Sequence, residues 1–279
     1  MASLLALLSS AMWGTADFFA GRLSKKFHPF AVLGLSQVFG LLTGIVIVLI
    51  SGDWHGQALG TNGYLISGAL AGLFGYLGLA CLYEGLSTGR MGVVSPISSM
   101  STVIPLVYAL VTGDKLSTLA SIGIVVALIG VFCASGPELS NGLPIKPLLL
   151  AFGAAIGFGL ALTFIAIGSE SSALLTMVSM RATTFFVTIS IAIKFRTAGG
   201  FSKQDMPILI FIGAADFIAN LLLGVATTKG LVSVAMVFGS LYPIATALLA
   251  FKFLNERLHK VQYVGIVLAV SGVSLISAF

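Results

Sequence analysis

Hydrophobic positions in this chain fall in runs of about 20 residues, with polar positions gathered in short gaps between them. Ten runs can be placed, at approximately 2–20, 30–50, 63–87, 91–111, 117–135, 147–167, 171–194, 206–228, 231–253 and 259–278. The gaps carry turn chemistry: Arg22 to Pro29, Ser51 to Asn62, Gly136-Pro137 to Pro144, Thr197-Ala198-Gly199-Gly200, and the very short Gly89-Arg90. A run of this length crosses a hydrocarbon core of about 30 Å as an α-helix. The alternating pattern of a β-barrel is absent, and within lipid only helices and closed barrels satisfy their own backbone groups. The pattern predicts an all-α polytopic membrane protein with ten transmembrane helices and no extramembrane domain.

The runs also repeat. The turn Asn255-Glu256-Arg257-Leu258 and the helix Val264 to Val273 answer Gly113-Asp114-Lys115-Leu116 and the helix Ile122 to Val131. Glu256 and Asp114, like Gly265 and Gly123, are 142 residues apart, and six of the ten paired helix positions are identical. Apolar helices match one another by chance, so the shared register of turn and helix carries the argument. A looser match pairs Met12-Trp13-Gly14-Thr15-Ala16 with Gly157-Phe158-Gly159-Leu160-Ala161, at an offset of 145. The chain is therefore expected to hold two five-helix repeats, 1–137 and 144–279. An odd number of crossings per repeat inverts the second relative to the first. Inverted repeats are the signature of secondary transporters, with the binding site near the midplane between the halves.

Composition narrows the class further. The 279 residues are 58% hydrophobic and only 8% charged, whereas a soluble domain carries about a quarter charged residues. The net charge of +5 is scattered through short loops, so it argues against nucleic acid and for topology determinants. Odd-numbered loops and their flanks hold Arg22, Lys25, Lys26, Arg90, Lys146, Lys194, Arg196, Lys203, Lys252, Arg257 and Lys260, against Lys115 and Lys229 in even-numbered ones. The positive-inside rule then makes the odd loops cytoplasmic and both termini external. Cys81 and Cys133 fall inside apolar runs and offer neither a disulfide framework nor metal-ligand spacing. The first run lacks a basic flank and a cleavage site, and reads as a retained span. No metal or cofactor is expected.

Trp13-Gly14 in the first run, Ser240-Leu241-Tyr242-Pro243 in the ninth, the Glu256-Arg257-Leu258 turn and the closing glycine-rich helix of each half together resemble the EamA-type branch of the drug/metabolite transporter (DMT) superfamily. The resemblance covers essentially the whole chain. It implies a secondary carrier of small polar metabolites, often an exporter. It also implies a central cavity lined mainly by the first, third, fourth, sixth, eighth and ninth spans. It implies cytoplasmic termini too, opposite to the charge bias. The first-half turn carries Asp114 where the family usually has glutamate, and Ser101 stands where the second half has Pro243.

An ionisable residue near the bilayer centre costs roughly 2.5–3.5 kcal/mol on insertion scales, which makes it a functional candidate. Asp216 is the deepest, with Asn220 at i+4 on the same face. The two suit an ammonium or hydroxyl group, or a proton, or else an interhelical packing pair. Asp17 follows Trp13 by four residues and lies near Arg22, at a cavity or at the interface. Glu84 shares a face with Tyr76 and Tyr83, which suit a cavity wall, and Arg90 is its expected neutraliser. Tyr242 completes the expected substrate-binding set of Asp216, Asn220, Trp13, Asp17, Tyr76, Tyr83, Glu84 and Tyr242. Arg181, flanked by Met177 and Thr184, is expected in an ion pair. Gln37 reads as helix–helix glue. Pro96, Pro105 and Pro243 can kink their spans, with Pro243 the leading hinge or gate. Glycines 68, 72, 75, 78, 153, 157 and 159 read as close-packing positions. Asp114 and Glu256 read as structural, each set against the dipole of the helix that follows it.

The leading expectation is a secondary transporter of small polar metabolites, such as amino acids or derivatives, working by alternating access in the cell (inner or plasma) membrane. Its expected partners are a small-molecule substrate and the lipid bilayer, with the chain a monomer or homodimer. No nucleotide-binding loop is present for an energised pump. A channel or non-catalytic assembly factor is the alternative. An intramembrane enzyme is disfavoured because His28, His55 and His259 all lie at loops or span edges, leaving only an Asp17–Asp216 dyad.

Overall fold

The computed structural model describes residues 1–88, 94, 97–135, 145–195, 199–254 and 259–277, and these hold helices and no strand. Helix α1 (Ala2–Ser24) leads through a short turn to α2 (Pro29–Ser51), where Pro29 takes the first helical position. Its fixed φ suits that position, and its missing N–H has no partner to lose there. Gly52 ends α2 in the left-handed region (φ 64°). After α3 (Tyr64–Thr88) come a 3₁₀ turn, Met100–Thr102, and α4 (Val103–Thr112). Helix α5 (Thr118–Ala134) starts at Ser117, whose hydroxyl accepts from the Ala120 N–H as an N-cap.

Helix α6 (Ile145–Phe195) runs for 51 residues, about 75 Å if straight and far beyond the thickness of a hydrocarbon core. It is not straight. Ser172 is extended (φ −162°, ψ 111°), and its hydroxyl accepts from the Leu175 N–H, so it caps a second leg. The contacts with α3 show the two legs to be antiparallel. Going up α3, Gly68 and Gly72 meet Thr176 and Met180 of the second leg, while Ser67 and Gly78 meet Gly168 and Gly157 of the first. Then follow α7 (Met206–Thr228), α8 (Val232–Gly239), α9 (Tyr242–Leu254) and α10 (Lys260–Ser277).

These elements correct the picture of ten separate continuous helices. The expected sixth and seventh spans are the two antiparallel legs of α6, joined directly at the non-helical Ser172 with no loop between them. The expected ninth span is divided at Ser240-Leu241 into α8 and α9. Six helical stretches among the described residues are long and apolar enough to cross a membrane, α6 counting as one; 97–112, α5 and α10 are shorter. Pro105 and Pro243 fall in the first turns of α4 and α9, where proline is tolerated. Pro105 follows the 3₁₀ turn Met100–Thr102 within the helical stretch 97–112, and Pro243 follows the turn at Ser240-Leu241 within 232–253. Pro96 lies outside the described residues.

Helices holding the same place in the two halves run antiparallel where they touch. Gly123 and Gly130 of α5 pack on Gly272 and Gly265 of α10, in that reversed order. A Cβ on Gly130 would lie 2.2 Å from the Ala269 nitrogen. The repeated glycine-rich helix is thus a backbone-to-backbone seam between the halves. Likewise Gly34, Gly40 and Gly44 of α2 meet Thr188, Arg181 and Val178 of the second leg of α6. Small residues serve this purpose in lipid, where association rests on close packing because lipid tails are as apolar as leucine. The outer faces carry exposed Leu49, Phe186, Ile193 and Val267, which suit hydrocarbon.

The repeated acidic turn has a different partner from the one its position suggests. Asp114 does not cap α5. Its Oδ2 accepts from the backbone N–H (2.9 Å) and the hydroxyl (2.7 Å) of Ser233 in the first turn of α8. It thereby ties the first half to the second. Glu256 lies outside the described residues.

Candidate functional site

A cavity of about 280 Å³ opens between α1, α2, α3, both legs of α6, α7 and the start of α9. Each helix contributes residues at helical spacing: Trp13, Ala16, Asp17 and Ala20 from α1, Leu33, Ser36 and Gln37 from α2, Tyr76 and Leu79 from α3. On α1, α2 and α3 these positions run from mid-helix toward the ends joined to the odd-numbered, cation-rich loops, whereas those on α6 and α7 lie around mid-helix. On the other side the way is packed with apolar side chains, including Phe217, Met177, Leu223, Met236 and Phe238, all nearly inaccessible.

One wall of the cavity is a polar network centred on Asp216. Arg181 Nη2 donates to Asp216 Oδ2 at 2.7 Å, and Arg181 Nη1 donates to Gln37 Oε1. Thr184 Oγ1 donates to the same Gln37 oxygen at 3.2 Å. Trp13 Nε1 donates to Asp216 Oδ1 at 3.0 Å, and Asn220 Nδ2 donates there at 3.2 Å. The Arg181 side chain is 4% exposed and that of Asp216 is 26% exposed. Both carboxylate oxygens are engaged, and the charge is balanced by a cation that does not give up its proton. Asp216 therefore stands as the partner of Arg181, not as a free carboxylate.

Local sequence explains how these groups reach one another. Gly14 lets α1 cross α9 closely: a Cβ there would lie 2.5 Å from Ala245 Cβ and 2.6 Å from the Tyr242 carbonyl oxygen. Thr246 Oγ1 donates to the Gly14 carbonyl across the same contact. The Trp13-Gly14 pair thus combines a side chain aimed at Asp216 with a backbone bare enough for the crossing. Trp13 also meets Tyr242 edge to face at 6.1 Å between ring centroids. Gly40 and Gly213 let α2 and α7 approach, which brings Gln37 beside Asp216.

Of the expected binding set, Asp216, Asn220, Trp13, Asp17, Tyr76 and Tyr242 line the cavity. Glu84 is not among the lining residues. Its side chain is half exposed and pairs with Lys146 Nζ at 2.7 Å, an exposed ion pair worth little. The expected partner, Arg90, and the Tyr83 side chain lie outside the described residues. Gln37 and Thr184 join the network although the sequence marks them only as weak polar positions in apolar helices. Their signal was spacing: Thr184 is one turn beyond Arg181. Among the described residues no three His, Cys, Asp or Glu side chains gather as a metal site, and both cysteines are free.

Comparison with known proteins places this architecture. A solved structure described as "Crystal structure of protein" superimposes with a TM-score of 0.81 over 99% of this chain and 96% of that one, at 16% sequence identity. At that identity the likeness speaks for the fold alone. No curated protein matches the sequence. The model of the EamA-like transporter family matches residues 1–136 and again 145–278. With two matched repeats, apolar helices and a cavity between the halves, this multi-pass membrane chain belongs to the EamA-like transporter family, within the DMT superfamily.

Proposed function

We propose that this chain is a secondary carrier that exports a small polar metabolite across the cell membrane by alternating access. The observation that carries the reading is the cavity, lined by polar side chains within apolar helices and enclosed by both halves of an antiparallel pair. Two antiparallel halves can exchange roles by rocking, which closes one side as the other opens. A volume of about 280 Å³ sits just below the usual range of ligand pockets, so the cargo is metabolite-sized. The break at Ser240-Leu241, between α8 and α9, is the natural hinge, with Pro243 and Tyr242 immediately after it. The repeats divide between 137 and 144.

The charge bias of the loops supports an inside-facing cavity mouth, where an exporter loads. The intramembrane aspartyl reading loses support, because Asp216 is paired with Arg181 and not with Asp17. Counter-flow in proteoliposomes tests the proposal. Labelled metabolites should exchange in protein-containing vesicles and not in empty ones. Gly75→Leu, which extends into the cavity from a position where a Cβ has only ordinary contacts, should suppress that exchange. Ohmic current without counter-flow would favour a channel instead.

A further inference from the structure

We propose that Asp17 is the charge that selects the cargo, and that the cargo is an organic ammonium of net charge +1 with an apolar or aromatic body. This deepens the carrier reading and rests on it. Among the described residues three charged side chains line the cavity: Asp17, Arg181 and Asp216. Arg181 and Asp216 pair across 2.7 Å, which leaves Asp17 as the one acidic side chain among the described lining residues with no cation beside it. Among the described residues Asp17 makes no hydrogen bond or ion pair, and it is an exposed residue of the cavity lining. A lone carboxylate deep in a membrane protein is expensive, and such groups pair with an opposite charge. Here that partner is mobile.

The walls define the rest of the cargo. Trp13 lies one turn before Asp17 on the same face, and Tyr242, Tyr76 and Phe158 stand around the same space. Aromatic faces attract an ammonium and cover an apolar body at once. A bare metal cation would need several oxygen ligands in a shell, and one carboxylate among rings does not supply them. The cation of Arg181 is already spent on Asp216 and Gln37 at 4% exposure. A free amino acid would therefore bring a carboxylate with no partner in this cavity. The class narrows from amino acids to amines, including amino-acid derivatives whose carboxyl group is absent or masked.

Three probes with one body separate the charges: 2-phenylethylamine, 2-phenylethanol and 3-phenylpropionate, titrated calorimetrically into the purified full-length protein. The wild type should bind the amine about tenfold to a hundredfold more tightly than the other two, the scale of a hydrogen bond to a charged group. Asp17→Asn should erase that preference, and Asp17→Glu should keep it. The wild-type order alone decides the matter if a variant fails to fold: no amine binding, or a preference for the acid or the alcohol, overturns the assignment. Unchanged amine preference in a folded Asp17→Asn protein overturns it as well. Counter-flow of acidic or neutral metabolites by the same preparation would sink this inference and leave the carrier standing, whereas current without counter-flow sinks the carrier.

Discussion

Removing the acid from the Arg181–Asp216 pair should harm the protein more than removing the base. In Asp216→Asn, the guanidinium stays 4% exposed and is left with neutral acceptors only, Gln37 and the amide oxygen of the replacement, so its charge has no counter-ion. Breaking a buried pair this way costs about 3–5 kcal/mol. The partial exposure of Asp216 toward the cavity puts this case at about 3. In Arg181→Gln, the carboxylate keeps the Trp13 and Asn220 donors and is 26% exposed. Its cost is that of a lost charged hydrogen bond, about 1.5 kcal/mol. The gap of about 1.5 kcal/mol is roughly a tenfold difference in unfolding equilibrium. The double variant, Arg181→Gln with Asp216→Asn, should cost less than Asp216→Asn alone, because no unpaired charge remains. Reversible unfolding of the purified protein in mixed micelles measures all three. The reasoning fails if the two single variants cost the same, or if the double variant costs their sum.

Other contacts make simpler tests. Gly130→Val should destabilise the α5–α10 seam by about 1–3 kcal/mol or more, the range of overpacked cores, because its Cβ would sit 2.2 Å from a backbone nitrogen. Gly21→Ala, which meets nothing within 4 Å, should be neutral or better on the same thermal melts. Asp114→Ala should cost about 1 kcal/mol by uncapping α8, and a melt no lower than wild type would remove the assigned role. Asp205 lies before α7, where the Ser202 hydroxyl, Lys26 and the Ser202 N–H hold its carboxyl down to about 2. A depressed carboxyl stabilises the fold above its unfolded value of about 4 and loses that contribution as pH falls through about 2. Melting midpoints of wild type and Asp205→Asn should therefore converge between about pH 5 and pH 2; parallel curves would count against the contact.

Much of the fold was legible before any coordinates, and for a physical reason. Each residue bears the cost of lipid individually, so hydropathy alone locates the apolar stretches, and a repeated turn and helix reveal two halves. The gap between the runs ending at 167 and starting at 171 was legible too, but not that a single serine cap at Ser172 would replace a loop there. The prolines were visible, but their meaning depended on where the helix before them stopped. Glu84 looked like Asp17 in sequence, late in an apolar run, yet one faces Lys146 outside and the other the cavity.

The sequence by itself determined the membrane class, the inverted pair of repeats and the short roster of polar residues from which a site had to be built. The tertiary structure alone decided which of those residues meet. Trp13 and Asp216 are 203 residues apart and Arg181 and Asp216 are 35 apart, and nothing local couples them. Their meeting depends on the rotation and crossing of helices, fixed by glycine contacts such as Gly14 on α9 and Gly40 on Gly213. Hydropathy is blind to the azimuth of a helix in a bundle. That azimuth paired Asp216 and left Asp17 facing the cavity.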